Sequence, residues 1–227
     1  GFAFDGDGDR LGVIDDKGRA IPGDKLLLLL AKEMLKSEKC KVIADVKCSQ
    51  VLFDEIERLG GKIFMSKTGH SHVKNNLKKL RADLAGEMSG HIFFAKDYYG
   101  FDDAFFAAVK VLEIINNNDK KLSDLVDEIP RVFNTPEIRI ECDDNIKFDI
   151  ISKIAERQKR SKKKITNIDG VRVSEKDGWW LLRASNTQPA IVLRCESLTQ
   201  EGLDFQKQVL KDELSEFNIY IDEKIIS

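Results

Sequence analysis

The sequence lacks a charge excess, a cysteine framework and a long apolar run, and each absence removes a class of function. Lys and Arg total 37 against 39 Asp and Glu. A net charge of -2 creates no field that gathers nucleic acid or an anionic membrane, so any anion must be bound by a local site. Cys40, Cys48, Cys142 and Cys195 are scattered without a CxxC pair, which speaks against a zinc ribbon or a disulfide scaffold and for reduced thiols. The longest apolar run, Leu26 to Ala31, falls far short of the roughly 20 residues that span a bilayer, and no signal-peptide pattern precedes it. A cytoplasmic location is expected, with neither nucleic acid nor membrane as partner. The chain also lacks an initial Met: it opens on Gly1, just ahead of its most chemical motif, and so reads as a fragment.

With 42% hydrophobic and 33% charged residues, the 227 residues suit one large or two small globular domains. Leu11 to Asp15, a turn at Lys17-Gly18 and Ala20-Ile21 fit a hairpin. Pro22-Gly23-Asp24 offers a breaker and an N-cap before a helix over 25–36, whose run of five leucines calls for burial on several faces. Strands are predicted at 41–46, 62–65 and 83–85, alternating with helices at about 50–59, 71–80 and 102–116; Gly60-Gly61 ends the first of these helices. This alternation implies an α/β layer with a mostly parallel sheet. Pro130 and Pro136 bracket an expected hinge, after which the pattern changes. A strand at 137–142, a helix at 146–160, strands near 170–174, 179–184 and 191–195 and a helix at 199–217 describe two helices on a mainly antiparallel sheet, a smaller α+β domain.

Three constellations could carry chemistry. Asp5, Asp7 and Asp9 alternate with glycines that let the loop curl, and three converging carboxylates suit a hard cation, magnesium or calcium. An EF-hand loop requires Gly at its sixth and Glu at its twelfth position, where counting from Asp5 finds Arg10 and Asp16. A solvated acidic turn is the bland alternative. Arg10 beside a cation suggests that a phosphate arrives there; otherwise it is an ion pair that steadies the aspartates. In the second constellation, Gly86 to His91, Glu87 and Ser89 can bind hydroxyls and His91 offers an imidazole that can carry a proton. His70, His72 and His91 are the three histidines, each on its own a candidate surface residue, and Lys47 sits at a comparable strand end, where it could neutralise a phosphoryl oxygen or simply be solvated. Third, Arg183, Ser185, Asn186 and Thr187, with Arg194 one strand later, could form a phosphate nest or be a polar hairpin. The basic run Arg157 to Lys164 is read as a solvated helix end, and the aromatics from Tyr98 to Phe106 as packing.

Taken in order, DGDGDR (5–10), DVKCS (45–49), KTGH (67–70), GEMSGH (86–91), GFDD (100–103) and RASNT (183–187), followed by Pro189 and Arg194, resemble the α-D-phosphohexomutase family, and within it the bacterial phosphomannomutase/phosphoglucomutase branch. The resemblance covers essentially the whole chain. It implies that residues 1–21 are the terminal hairpin and metal loop of a preceding domain, 22–131 a mixed-sheet α/β sugar-binding domain, and 132–227 an α+β phosphate-binding domain. It further implies one Mg2+ on Asp5, Asp7 and Asp9, sugar hydroxyls on Glu87 and Ser89, a phosphate clamp of Arg183, Ser185, Asn186, Thr187 and Arg194, and catalytic groups Arg10, Lys47, His70 and His91, with His91 the preferred proton carrier. The implied reaction interconverts hexose 1-phosphate and 6-phosphate through a phosphoserine, with glucose 1,6-bisphosphate as intermediate or activator. The phosphoserine loop of that family has no counterpart in this sequence, so the expected partners are hexose phosphates and amino-terminal domains of the same protein. Met88, where Gln is expected in the phosphoglucosamine mutase branch, favours glucose and mannose phosphates. A sugar-phosphate-binding fragment without catalysis is the alternative.

Overall fold

The computed structural model describes residues 1–161, 163–222 and 226; Lys162, part of the basic run, lies outside them. It divides into two compact units, Gly1–Pro130 and Arg131–Ser227, each with its own core.

The first unit opens with a three-stranded antiparallel sheet of β1 (Phe2–Phe4), β2 (Leu11–Ile14) and β3 (Ala20–Ile21). Alternation in β2 sends Leu11 and Val13 into the core that α1 (Gly23–Leu35) fills, while Gly12 and Ile14 face outward. Leu26 to Leu30 are each at most 5% exposed, so the leucine run is buried on all sides, each side chain contributing about 1.5–3 kcal/mol. Asp24 is not the N-cap, because the helix starts one residue earlier, behind Pro22. Its buried carboxylate instead accepts the Ser49 N–H (2.9 Å), joining the start of α1 to the start of α2.

Next come β4 (Lys41–Asp45), α2 (Gln50–Arg58), β5 (Lys62–Ser66), α3 (His70–Leu80), β6 (Leu84–Gly86), β7 (Ile92–Phe94), α4 (Ala104–Asn116) and α5 (Leu122–Asp127). The Ser49 hydroxyl caps α2, which closes with hydrogen bonds from Gly60 to Glu57 and from Gly61 to Ile56, the paired pattern of a left-handed helix end. The Asp103 carboxylate caps α4 at Phe106 (2.8 Å). The sheet order is β5-β4-β6-β7, parallel except for the last pair, so it is mixed. β7 and α5 were not legible from periodicity, since β7 offers three consecutive buried residues with no alternation.

The second unit contains β8 (Phe133–Asn134), β9 (Ile138–Glu141), α6 (Lys147–Lys159), β10 (Lys164–Thr166), β11 (Val171–Ser174), β12 (Gly178–Ala184), β13 (Ala190–Ser197) and α7 (Gln200–Ser215). All its strand pairs are antiparallel, in the order β10-β11-β12-β13, with β8 and β9 both on β13. Trp180, Leu182, Ile191, Leu193 and Cys195 join the core with Ile150, Ile154, Leu203, Leu210 and Leu214 of α6 and α7. Alternation therefore sends Trp179, Leu181, Arg183, Arg194 and Glu196 to the opposite face of the sheet.

Among the described residues no helix is long and apolar enough to cross a membrane. All four cysteines are buried and free; burial pushes Cys40 and Cys195 up to about 11, so both stay protonated thiols at neutral pH.

Candidate functional site

β4, β5 and β6 run parallel, and the segments leaving their carboxyl ends carry Lys47, His70 at the start of α3, and Glu87, the edge where open α/β sheets bind ligands. The Asp5–Arg10 loop joins β1 to β2. Its turn is fixed by Gly8 N–H donating to Asp5 O (3.2 Å) and by the Asp9 and Arg10 N–H groups donating to Asp5 Oδ1 (3.2 and 3.1 Å). Carboxylate oxygens of Asp5, Asp7 and Asp9 then lie within 4.8 Å of one another. This loop is stitched to the turn between β6 and β7: Leu11 N–H donates to Gly90 O (3.1 Å), and Arg10 and His91 form an antiparallel bridge. Gly90 has φ +99°, and a Cβ there would stand 2.9 Å from Leu11 O, so the approach of the two loops requires glycine.

His91 is the meeting point. Arg10 Nε donates to His91 Nε2 (3.0 Å) while also lying 3.5 Å from Asp5 Oδ2. With Nε2 accepting, the neutral ring carries its proton on Nδ1, which is 3.1 Å from Asp102 Oδ2 and 3.7 Å from Asp9 Oδ2. His70 Nδ1 reaches the same Asp102 oxygen at 3.3 Å, and the two imidazole centroids are 5.6 Å apart. Burial, together with the charges of Asp7, Asp5 and Asp102, pushes the Asp9 carboxyl above its ordinary range against the pull of His91. Asp5 goes the other way: burial opposes ionisation, but the N–H groups of Arg10 and Asp9 outweigh it and hold the carboxyl low. Converging oxygens in an acid-crowded loop are a donor set that suits a hard divalent cation, Mg2+ or Ca2+.

Glu87 is 2% exposed and accepts the Gly69 N–H at 2.6 Å, which ties the turn after β6 to the start of α3. Lys47 is also buried, with Nζ 3.8 Å from Asp45 Oδ2. Ser89 stands exposed at the tip of the turn that Gly90 N–H closes on Glu87 O (3.1 Å). Burial first, and then Asp45, raises the Glu87 carboxyl above its usual range, against the Gly69 N–H, His91 and Lys47. The folded state therefore binds the Glu87 proton more tightly than the unfolded chain does, and stability attached to this residue falls as pH rises from about 4.5 through the raised value. Glu87→Gln keeps an acceptor for Gly69 without a titrating group. Thermal melts between pH 4 and 8 should show wild type losing ground to the variant as pH rises, and a pH-independent gap would contradict the assignment.

In the second unit the 185–190 turn joins β12 to β13. Ser185 Oγ accepts N–H groups from Thr187 (3.4 Å) and Gln188 (3.2 Å), so those amides point inward and the exposed Asn186 and Thr187 side chains form the tip. Arg183, 6% exposed, donates through Nε to Asp169 Oδ2 at 2.9 Å. On the same sheet face the Arg172 guanidinium stacks 3.7 Å from the Trp179 ring centroid, with Arg194 at 5.8 Å. Arg183 thus lies near the end of the strand that leads into the Ser185–Thr187 turn, while Arg194 lies further along the same sheet face, beside Trp179.

Sequence comparison identifies the family. The model of the phosphoglucomutase/phosphomannomutase alpha/beta/alpha domain III matches residues 22–133, and that of the C-terminal domain of the same family matches residues 137–211. The chain belongs to the phosphoglucomutase/phosphomannomutase family. It is 45% identical over 215 residues to a phosphomannomutase/phosphoglucomutase of Pseudomonas syringae pv. tomato, covering 94% of this chain and 46% of that one. A phosphomannomutase of Methanocaldococcus jannaschii is 33% identical over 213 residues, covering 93% of this chain and 46% of that protein. A crystal structure of a family member from Burkholderia thailandensis superposes with a TM-score of 0.87 at 39% identity, over 95% of this chain and 46% of the other. The chain spans about half the length of the curated relatives it matches. A fungal N-acetylphosphoglucosamine mutase from Aspergillus fumigatus, 16% identical at a TM-score of 0.67 over 94% of this chain and 51% of the other, shares the fold.

Around these side chains, sequence reasoning missed Asp102, Asp45 and the Gly69 N–H, and, in the second unit, Asp169. One carboxylate caps α4, so the doublet Asp102-Asp103 before that helix signals a spare acid; Asp103 does the capping and Asp102 turns to the histidines. Asp169 gave no signal, since its role depends on the register of β11 beside β12.

Proposed function

We propose that this chain supplies the metal, sugar and phosphate sites of a cytoplasmic, magnesium-dependent phosphohexomutase that interconverts hexose 1-phosphates and 6-phosphates, with glucose and mannose phosphates as substrates. The observation that carries the reading is the convergence of Asp5, Asp7, Asp9, Arg10 and His91 beside the Glu87–Gly90 turn at the strand ends. Asp5, Asp7 and Asp9 hold Mg2+, which when bound supplies positive charge to a transferring phosphoryl group. Arg10, anchored by His91 and Asp5, adds a guanidinium for the phosphoryl oxygens. His91, with Nδ1 3.1 Å from Asp102, serves as the proton carrier for the sugar hydroxyl, with His70 beside it and Lys47 neutralising charge. Glu87 and Ser89 bind sugar hydroxyls, and the Arg183–Thr187 loop with Arg194 holds the phosphate that is not reacting.

In the whole protein a phosphoserine gives its phosphoryl group to the sugar phosphate and recovers the other one from the bisphosphate. The 227 residues taken alone bind hexose phosphate without turning it over. With Mg2+ and labelled glucose 1,6-bisphosphate, the chain should bind one ligand and exchange no phosphoryl group. Failure to bind glucose, mannose or bisphosphate ligands sinks the reading, and sustained exchange refutes silence. Tighter binding of glucosamine phosphate than of the other two would move the chain to the phosphoglucosamine branch, against the indication of Met88.

A further inference from the structure

A second group of ligand-type side chains meets at His91. Asp9, His91 and Asp102 each place a ligand atom within 4.8 Å of the other two. The distances from His91 Nδ1, 3.1 Å to Asp102 and 3.7 Å to Asp9, bracket the spacing of about 3.3–3.5 Å between neighbouring ligand atoms around a tetrahedral ion with bonds of about 2.0–2.2 Å. The imidazole is 5% exposed, yet Nδ1 makes no hydrogen bond among the described residues. Asp102 Oδ2 is inside hydrogen-bond range, so the failure is one of direction: the oxygen flanks the Nδ1 axis instead of lying on it. A cation beside that nitrogen takes all three side chains as ligands and leaves a fourth position to water, since His70, whose Nδ1 lies 3.3 Å from the same Asp102 oxygen, is not among the three converging side chains.

We propose that Asp9, His91 and Asp102, with water completing the shell, form a site for a borderline divalent cation of the Zn2+ or Co2+ class, overlapping the Asp5–Asp9 loop at Asp9. Its imidazole donor separates it from the all-oxygen loop, because a nitrogen ligand favours these ions over Mg2+. Coordination through Nδ1 requires the ring proton on Nε2. The ring stays neutral by exchange with water, one proton leaving Nδ1 and one arriving at Nε2, and Arg10 loses its acceptor. Its guanidinium, 56% exposed and 3.5 Å from Asp5, has water and that carboxylate to turn to. An occupied site thereby withdraws His91 as a proton carrier, a consequence that rests on the proposed function; the binding itself does not.

Co2+ titrated into the 227-residue chain tests this through its visible ligand-field bands. Wild type should bind one ion with the intense bands of a four- or five-coordinate, nitrogen-ligated centre, displaceable by Zn2+. His91→Gln and Asp102→Asn should each weaken binding by about 10–100-fold and dim the bands. Asp102→Asn is nearly isosteric and keeps the test open if His91→Gln does not fold. Asp7→Asn, which touches the all-oxygen cluster alone, should leave the bands in place. Weak octahedral bands in wild type, bands indifferent to both His91→Gln and Asp102→Asn, or equal loss in Asp7→Asn would overturn the proposal. Sugar-phosphate binding measured on the same samples reports separately on the functional reading.

Discussion

Gly170→Ala should cost the second unit about 2–5 kcal/mol, the sum of about 1–2 for a left-handed L-residue and about 1–3 for overpacking. Gly170 has φ +77°, and a Cβ built there would stand 2.2 Å from Leu182 O, 2.6 Å from Arg183 Cβ and 2.7 Å from Arg183 Cα. These are mostly backbone atoms of the neighbouring strand, so relief requires β11 to move away from β12, where Val171 pairs with Leu182. The same movement withdraws Asp169 from Arg183, so ligand binding should weaken along with stability. Both tryptophans of the chain, Trp179 and Trp180, lie on β12, so tryptophan fluorescence follows this unit by itself. Its melting midpoint should fall by about 10 °C or more, given about 4–8 °C per kcal/mol for a domain of this size. Gly18→Ala is the control: φ is also +77° but a Cβ there meets nothing within 4 Å, so it should cost only the conformational part, about 1–2 kcal/mol. A Gly170→Ala protein that melts like wild type would mean that the close strand approach is absent in solution.

What the sequence made legible follows from which signals are local. Caps and periodicity are local, so α1 to α4, α6 and α7 were predictable to within a few residues, as was the parallel set β4, β5 and β6. Short strands that exist through their partners were not: β8, two exposed residues, is held by pairing to Glu196 and Ser197. The site divides in the same way. Asp5, Asp7, Asp9 and Arg10 are adjacent in sequence and announce a cation and an anion, but the groups that orient them are remote. His91 anchors Arg10 from 81 residues away, and Gly69 binds Glu87 across 18. Capping logic also fails where tertiary contact wins, as with Asp24, whose carboxylate serves the amide of Ser49.

Arg183→Ala should weaken binding of glucose 1,6-bisphosphate by about 100-fold, consistent with about 1.5–3 kcal/mol for a hydrogen bond to a charged group. The argument for so large an effect is that the side chain is already ordered before the ligand arrives. It is buried, and its Nε is fixed on Asp169, so the terminal nitrogens are presented to a ligand with little rotamer entropy left to lose. Arg183→Lys should recover little of the loss, because one ammonium nitrogen cannot both hold Asp169 and meet a phosphoryl oxygen in the planar two-point geometry of a guanidinium. Asp169→Asn separates positioning from contact: the guanidinium remains but its aim loosens, so affinity should fall by less than in Arg183→Ala. Calorimetry on the three variants, with the tryptophan melt as a check that β12 is intact, distinguishes the cases. Equal losses in Arg183→Ala and Asp169→Asn would mean that the ion pair matters for the fold of the loop and that Arg183 itself does not meet the phosphate.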